Sequence, residues 1–477
     1  MGISSFILIA FYRERFLPVR NAIKVYSIYR IGDIGLILAM WMSHHLWHEN
    51  ITFLKLQDYT LVHHQLETHS WIGIFISLMI LLSAAAKSAQ LPFSSWLPRA
   101  MEGPTPSSAI FYGSLSVHIG VFLLLKTFPF WEHQLSVRIL IGALGLTTSV
   151  ITIGIARVQS SIKSQIAYSS IAQIGLIFIE VAAGFENLAL FHFAGNAFLR
   201  TYQLLVSPSV VSYLIKEQFY EFMPRQKTIL DKIPKKIRYT IYMFSVKEWN
   251  LGKLMNNLYW EPLKSAGNSL EFLTFRRVLI FLFPAYFIFG IGIFYKDNLP
   301  SEVTSILPSL MAFIGLTMVL KSFTERKRIR FGWAYIIMGH FWVLLAMNFN
   351  EHIEWIENIL YLSGVVIAGT IGFGCLQKLK DTEVNINLDR FRGHAYEHPI
   401  MALVFLLCCL GISGFPISPT FIGEDLFFSH IHEEQFVLAT LISIGFILNG
   451  LSVIRIFARE FLGPHIKTYH ELAYRSS

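Results

Sequence analysis

Uncharged or nearly uncharged runs of about 20 residues, the length a helix needs to cross a bilayer, recur along this chain. They fall at 22–43, 71–91, 107–128, 138–156, 162–183, 187–213, 278–295, 304–321, 332–348, 359–376, 400–431 and 436–458. In hydrocarbon every backbone N–H and C=O must be satisfied within the protein, so such runs fold as helices. Composition agrees: of 477 residues 54% are hydrophobic and only 15% charged, against about 25% charged in an ordinary soluble domain. The mean hydropathy is +0.51. This apolar surplus excludes a disordered chain and a soluble enzyme, and predicts an all-α, polytopic integral membrane protein with about 12 full spans. The run at 2–12 is too short to span. It is followed by Arg13 and Arg15 with no basic residue ahead of it, the reverse of a signal peptide's charge order, and it reads as an N-terminal partial span, the back half of a helix.

Threading the spans alternately across a bilayer sorts the loops into two sets. One set (13–24, 92–106, 157–161, 214–277, 321–330, 377–399 and 459–477) holds 30 lysines and arginines, whereas the other holds only Lys55 and Lys296. Positive loops stay on the cytoplasmic side, so the net charge of +8 is a topology signal in an inner (plasma) membrane and no sign of nucleic-acid binding. The longest interruption, 214–277, carries 12 basic and 6 acidic residues with Pro224, Pro234 and Pro262. It reads as a basic amphipathic segment lying on anionic lipid headgroups, with a docking surface for a soluble partner as the rival. It divides the chain into 1–213, 214–277 and 278–477.

Charges inside spans are costly and mark functional positions. Seven basic residues fall there: Arg30, Lys87, Lys126, Arg138, Lys163, Arg200 and Arg455. Lys126, Arg138 and Arg455 are explained by snorkelling towards the interface. Lys87 is not, because it follows sixteen uncharged residues and enters KSAQLPFSSWLPRAMEGPTPSSA, where prolines at 92, 98, 104 and 106 break the helix. Broken helices at membrane depth are tolerated only when buried in protein or lining a watery cavity, the setting of transporter ion sites. Arg30 and Asp33 lie three apart and can neutralise each other. His192, Asn196 and Arg200 recur at i, i+4 and i+8 and form one polar stripe of relay type. Lys163 with Gln173, and Tyr112 with His118, add polar groups on other spans, where packing hydrogen bonds are the simpler reading.

No metal or cofactor is expected. The three cysteines (Cys375, Cys408, Cys409) lie in apolar stretches, so neither a disulfide framework nor a zinc site is encoded. The loop 44–70 contains His44, His45, His48, His63, His64 and His69, but it reads as a solvated loop. No phosphate loop, dinucleotide glycine motif or nucleophile elbow is present.

The string Lys87–Ala109, together with ARVQSSIKSQIAYSSIAQIG at 156–175 and the His192 helix, resembles the proton-conducting antiporter-like family. That family includes the largest membrane subunits of respiratory complex I, Mrp-type cation antiporters and DabB, the membrane subunit of an inorganic-carbon pump. The resemblance implies a fold of two inverted five-helix repeats, each with a broken helix. It also implies a proton pathway in which Asp33 is the acidic residue of RxGD, Lys87 the central lysine, Lys163 the bridging-helix lysine and His192 the first relay histidine. Tyr112, Ser161, Asn196 and Arg200 depart from the complex I pattern, and Tyr112 and Arg200 are closer to DabB. GISGFPISPTFIGEDL at 411–426 resembles the second broken helix, with Glu424 and Asp425 where the family has Lys-Asp.

The function this implies is a proton-conducting membrane subunit with no chemistry of its own, coupling the proton-motive force to a DabA-like, carbonic-anhydrase-related partner. The alternative is a proton-pumping subunit of NADH:quinone oxidoreductase, partnered by complex I subunits, or of an Mrp-type antiporter.

Overall fold

A computed structural model describes residues 1–47, 52, 70–220, 234–383 and 386–465; His48, His63, His64 and His69 lie outside them. The described residues are helical and contain no strand. Among the described residues nine helices are long and apolar enough to cross a membrane, and two shorter apolar helices end at Lys87 and Ile412. With Glu186–Tyr220, each of the spans placed from hydropathy falls on helix. Contacts divide the chain into two compact units, one of Met1–Tyr12 with Arg20–Leu258 and the other of Arg13–Val19 with Tyr259–Ser477.

In the first unit α1 (Gly2–Ile9) is short. α2 (Phe16–Trp47), which belongs to this unit from Arg20 onward, begins six residues before the hydropathic run, because amphipathic Phe16–Asn21 extends the helix, and it carries His44 and His45 in its last turn. α3 (Ser70–Lys87) stops at the lysine, α4 (Trp96–Ala100) follows, and α5 (Thr105–Lys126) resumes the crossing. α6 (Leu135–Ala156), α7 (Ile162–Ala183) and α8 (Glu186–Tyr220) are continuous. The amphipathic α9 (Lys235–Val246) lies within the basic segment 214–277. Just beyond it the Glu248 carboxylate pairs with Arg99 of α4 at 2.6 Å, which fixes this part of the segment to the first unit.

In the second unit α10 (Phe275–Lys296), α11 (Ser301–Thr324), α12 (Ile329–Asn350) and α13 (Trp355–Thr382) are each long enough to span. The run 400–431 is not one span. Gly414 takes φ +64°, a left-handed conformation that ends a helix cheaply only for glycine, and α14 (Pro399–Ile412) gives way to α15 (Pro419–Ser429). The Ser418 hydroxyl accepts from the Phe421 N–H and caps the restart. α16 (Phe436–Phe461) closes the unit.

Packing follows membrane rather than aqueous logic. On α6 the large apolar Ile139, Leu146 and Val150 are exposed, whereas Gly145, Thr148, Ser149 and Thr152 are buried. Lipid tails are as apolar as leucine, so helices associate through close contacts of small residues rather than by hiding large ones. At the α6–α7 crossing a Cβ on Gly175 would stand 2.6 Å from the Gly145 carbonyl oxygen, and one on Gly145 would stand 2.4 Å from that of Gly175. Gly175→Ala should therefore destabilise the protein by about 1–3 kcal/mol through overpacking, seen as a lower melting temperature in detergent. Gly374→Ala, with nothing within 4 Å of the added Cβ, should leave it unchanged.

Candidate functional site

The break after α3 frees backbone groups that the first unit satisfies one by one. The Gln90 N–H donates to the Ala85 carbonyl at 2.9 Å and the Phe93 N–H to that of Gln90 at 2.7 Å. The Leu91 N–H donates to Thr148 Oγ1 at 3.1 Å, and Trp96 Nε1 donates to the Ala86 carbonyl at 2.9 Å. This scaffold holds Lys87 at 7% exposure. Its Nζ donates to Asp33 Oδ1 at 2.5 Å and lies 5.5 Å from the centre of the Tyr29 ring. The other oxygen of Asp33 receives Arg30 Nη1 at 3.4 Å. The two cations therefore share one carboxylate, and the Arg30–Asp33 pair expected from spacing is completed by the lysine of another helix.

A second set lies along α5 and α8. Tyr29 and Ser116 join their hydroxyls by a hydrogen bond, and two residues beyond Ser116 the buried His118 meets Asn196 Nδ2 through Nε2 at 3.0 Å. Arg200 Nε donates to Asn196 Oδ1 at 3.1 Å, and its Nη1 donates to Gln203 Oε1 at 2.6 Å. Tyr112 sits on the π-helical stretch Ser108–Leu115, donates to the Ser5 carbonyl at 3.2 Å and stands edge-on to Trp96 with ring centres 6.3 Å apart.

The stripe His192–Asn196–Arg200 is only partly realised. Asn196 and Arg200 are joined, but His192 turns to α7, where Nδ1 meets Glu180 Oε1 at 2.8 Å and Nε2 meets Gln173 Oε1 at 2.9 Å. Glu180 carries the same kind of signal as the cations, a lone charge within the apolar run 162–183. Lys163 lies on the first turn of α7 with Nζ 3.4 Å from the Gly103 carbonyl, and its hydrogen bond joins neither the Lys87 set nor the His192 set. Arg138 donates to the Ala182 carbonyl at 2.7 Å and Arg455 to that of Phe323 at 2.7 Å, so both satisfy carbonyls at or near helix C-termini.

The second unit carries its own polar cluster, which sequence reasoning missed. His340 of α12 meets the Tyr361 hydroxyl through Nδ1 at 2.7 Å and Asn449 Nδ2 through Nε2 at 2.8 Å. Asn449 Nδ2 also donates to the Ile412 carbonyl at 2.9 Å, a carbonyl at the end of α14. Glu424 packs under the break, and a Cβ on Gly414 would meet its Oε2 at 2.1 Å. Asp425 is exposed on α15, so of the two carboxylates expected here only Glu424 adjoins the break. The signal was a lone histidine and a lone asparagine within apolar spans.

The family profile described as NADH:quinone oxidoreductase/Mrp antiporter, TM, matches residues 1–223 and 288–451. NADH-ubiquinone oxidoreductase chain 5 of Halichoerus grypus is 36% identical over 220 residues, covering 46% of this chain and 34% of that protein. Its counterpart in Rhizopus stolonifer is 34% identical over 218 residues, covering 46% and 32%. The chain thus matches about a third of the length of these relatives. The Mrp complex from Dietzia sp. DQ12-45-1b includes a chain similar at a TM-score of 0.43 and 13% identity, covering 98% of this chain and 85% of that one. With the profile spanning most of its residues, this chain belongs to the NADH:quinone oxidoreductase/Mrp antiporter membrane family.

Proposed function

We propose that the chain is a proton-conducting membrane subunit of an energy-coupling complex in an inner (plasma) membrane. The observation that supports this most is the Arg30–Asp33–Lys87 cluster at a broken helix. A lysine ammonium can release and recover a proton, whereas a guanidinium remains charged. When Lys87 gives up its proton, Asp33 keeps Arg30 as counter-ion, so neither state of the lysine leaves the half-buried carboxylate unpaired. Arg30 is the fixed charge, Asp33 the shared acceptor and Lys87 the proton carrier. His118, His192 and, in the second unit, His340 are further carriers, since imidazole accepts at one nitrogen and donates at the other. Asn196, Arg200, Gln173 and Asn449 hold these rings in place. Tyr112 anchors α5, Lys163 stands at the entrance of α7, and Glu424 supplies a carboxylate at the second break.

Curated relatives named NADH-ubiquinone oxidoreductase chain 5 favour a redox-driven complex, with complex I-like subunits as partners. A second reading, proton-motive-force-driven uptake of inorganic carbon with a DabA-like partner, draws on Arg200. Its guanidinium is a fixed charge where the complex I pattern carries a releasable lysine, and it is hydrogen-bonded to Asn196 and Gln203. One charge moving through 100 mV releases about 2.3 kcal/mol, which is the energy either partner would supply or draw.

Lys87→Met should lower coupled proton transport at least about tenfold, followed with a pH-sensitive dye in membrane vesicles. Insertion should survive, because Asp33 retains Arg30. Lys87→Arg should fail equally. Full transport by Lys87→Met would remove the lysine from the pathway.

His192→Ala should impair transport severely, since it leaves Glu180 and Gln173 without their shared partner. Asn196→His should be tolerated, because an imidazole still offers an acceptor to Arg200 and a donor to His118. Equal tolerance of both changes would mean that the stripe only packs helices.

A protonophore separates the partners. Under the redox reading it accelerates NADH oxidation that depends on this chain, by removing back-pressure. Under the carbon-uptake reading it abolishes carbon accumulation, which persists when quinone reduction is inhibited.

A further inference from the structure

The segment between α13 and α14 is laid along the end of α16 by four backbone hydrogen bonds. Arg392, Gly393, His394 and Ala395 donate to the carbonyls of Arg459, Leu462, Glu460 and Phe461 at 2.9, 3.2, 3.1 and 2.9 Å. The arrangement gathers Glu383, His394, Glu397, His398 and Glu460, which come from three separate stretches of sequence. One ligand-type atom from each of Glu383, His394 and Glu397 lies within 4.8 Å of the others. His394 Nδ1 stands 4.0 Å from Glu383 Oε1, and the same oxygen is 3.2 Å from His398 Nε2. On the other side of the ring, His394 Nε2 faces Glu460 Oε2 at 3.9 Å.

Two of these side chains are buried without hydrogen bonds. The His394 side chain is 7% exposed and that of Glu460 is 0% exposed. Among the described residues neither nitrogen of His394 and neither oxygen of Glu460 has a hydrogen-bond partner. Buried polar groups are almost always satisfied, and an exception calls for a missing ligand, ion or proton. The separations near 4 Å are too long for hydrogen bonds. Tetrahedral donors about 2.0–2.2 Å from a cation stand roughly 3.4 Å apart, and His394 Nδ1 and Glu383 Oε1 at 4.0 Å need draw together by only about half an ångström to reach that spacing.

We propose that Glu383, His394 and Glu397 bind a divalent transition-metal ion of the zinc class, with His398 as a neighbouring fourth donor and Glu460 orienting the His394 ring from behind. Mixed imidazole and carboxylate donors suit zinc and its neighbours rather than calcium or magnesium. With Nδ1 on the metal, Nε2 carries the proton and faces Glu460 Oε2 at 3.9 Å, so that closing this gap to about 2.9 Å on metal binding completes the carboxylate–histidine–metal arrangement that fixes a ligand's tautomer. A groove of about 590 Å³ lined by Lys378, Thr382, Glu397 and His398 gives access from outside. The ion would tie the end of α13, the connecting segment and the end of α16 into one rigid corner. The rival is a protonated Glu460 beside a neutral His394, with no metal.

The full chain, purified in detergent and stripped with a chelator, would be titrated with zinc and then with cobalt, whose visible absorption reports nitrogen–oxygen coordination. One tight site per chain is expected, with zinc raising the melting temperature. His394→Ala and Glu383→Gln should each weaken binding at least about tenfold, and Glu460→Gln by roughly 10–100-fold. His430→Ala removes a different His–Glu cluster, with Glu351 and Glu357, and should change nothing. If His394→Ala does not fold, Glu397→Gln, which keeps the side-chain shape, takes its place. Unaltered zinc affinity in folded Glu383→Gln and Glu397→Gln proteins would overturn the site. Binding lost only when the histidines of 44–70 are replaced would do the same.

Discussion

A charge or a broken helix within hydrocarbon must find its partners inside the protein, and the first unit meets both demands at one place. The break after Lys87 removes backbone hydrogen bonds from the helix, and Thr148 and Trp96 supply two of the replacements. Those two contacts draw α6 and α4 against the end of α3 and leave Lys87 facing α2. Asp33 then neutralises the lysine, and Arg30 on the next turn prevents the carboxylate from becoming an orphan when the lysine changes state. The ion cluster and the helix break are thus one construction, since without the break Lys87 would lie in the middle of a regular helix with no fixed approach to Asp33.

Hydropathy made the spans legible because membrane insertion is decided locally, by about 20 consecutive residues at a time. The boundaries were less legible where local rules compete. Phe16–Asn21 is amphipathic and joins α2 although the apolar run starts later, and 400–431 is mostly apolar although Gly414 and Pro419 divide it. Lys87 was legible because a lone cation beside a row of prolines is costly unless it serves a purpose. Its partnership with Asp33 was not, since the two lie on different helices and their spacing along the chain carries no signal.

The same reason explains the other differences at the site. The spacing of His192, Asn196 and Arg200 puts three polar groups on one side of α8, whose other side exposes Phe198 and Tyr202. Periodicity says which face a residue occupies, but it does not say whether its partner is on its own helix or the next one. His192 is met by Glu180 and Gln173 across the α7–α8 contact, whereas Asn196 and Arg200 meet each other. The Glu383–His394–Glu460 corner is the extreme case. Its side chains are scattered over nearly eighty positions and are assembled by a loop that pairs with a helix end, so neither motif spacing nor cysteine usage announces it.

Taken separately, the two units solve one problem with the same pair of side chains. In the first, Asn196 Nδ2 approaches His118 Nε2 at 3.0 Å; in the second, Asn449 Nδ2 approaches His340 Nε2 at 2.8 Å. An amide that donates to Nε2 requires that nitrogen to be the acceptor, so both rings carry their proton on Nδ1 while neutral. The surroundings then diverge. Asn196 is held by a guanidinium, and the nearby break presents an ammonium. Asn449 is held to the freed carbonyl of its own break, and the acidic Glu424 lies against that break. Because each asparagine is fixed by a different group of its own unit, the Arg200 guanidinium in the first and the Ile412 carbonyl in the second, the same histidine–amide pair is held in two different polar settings.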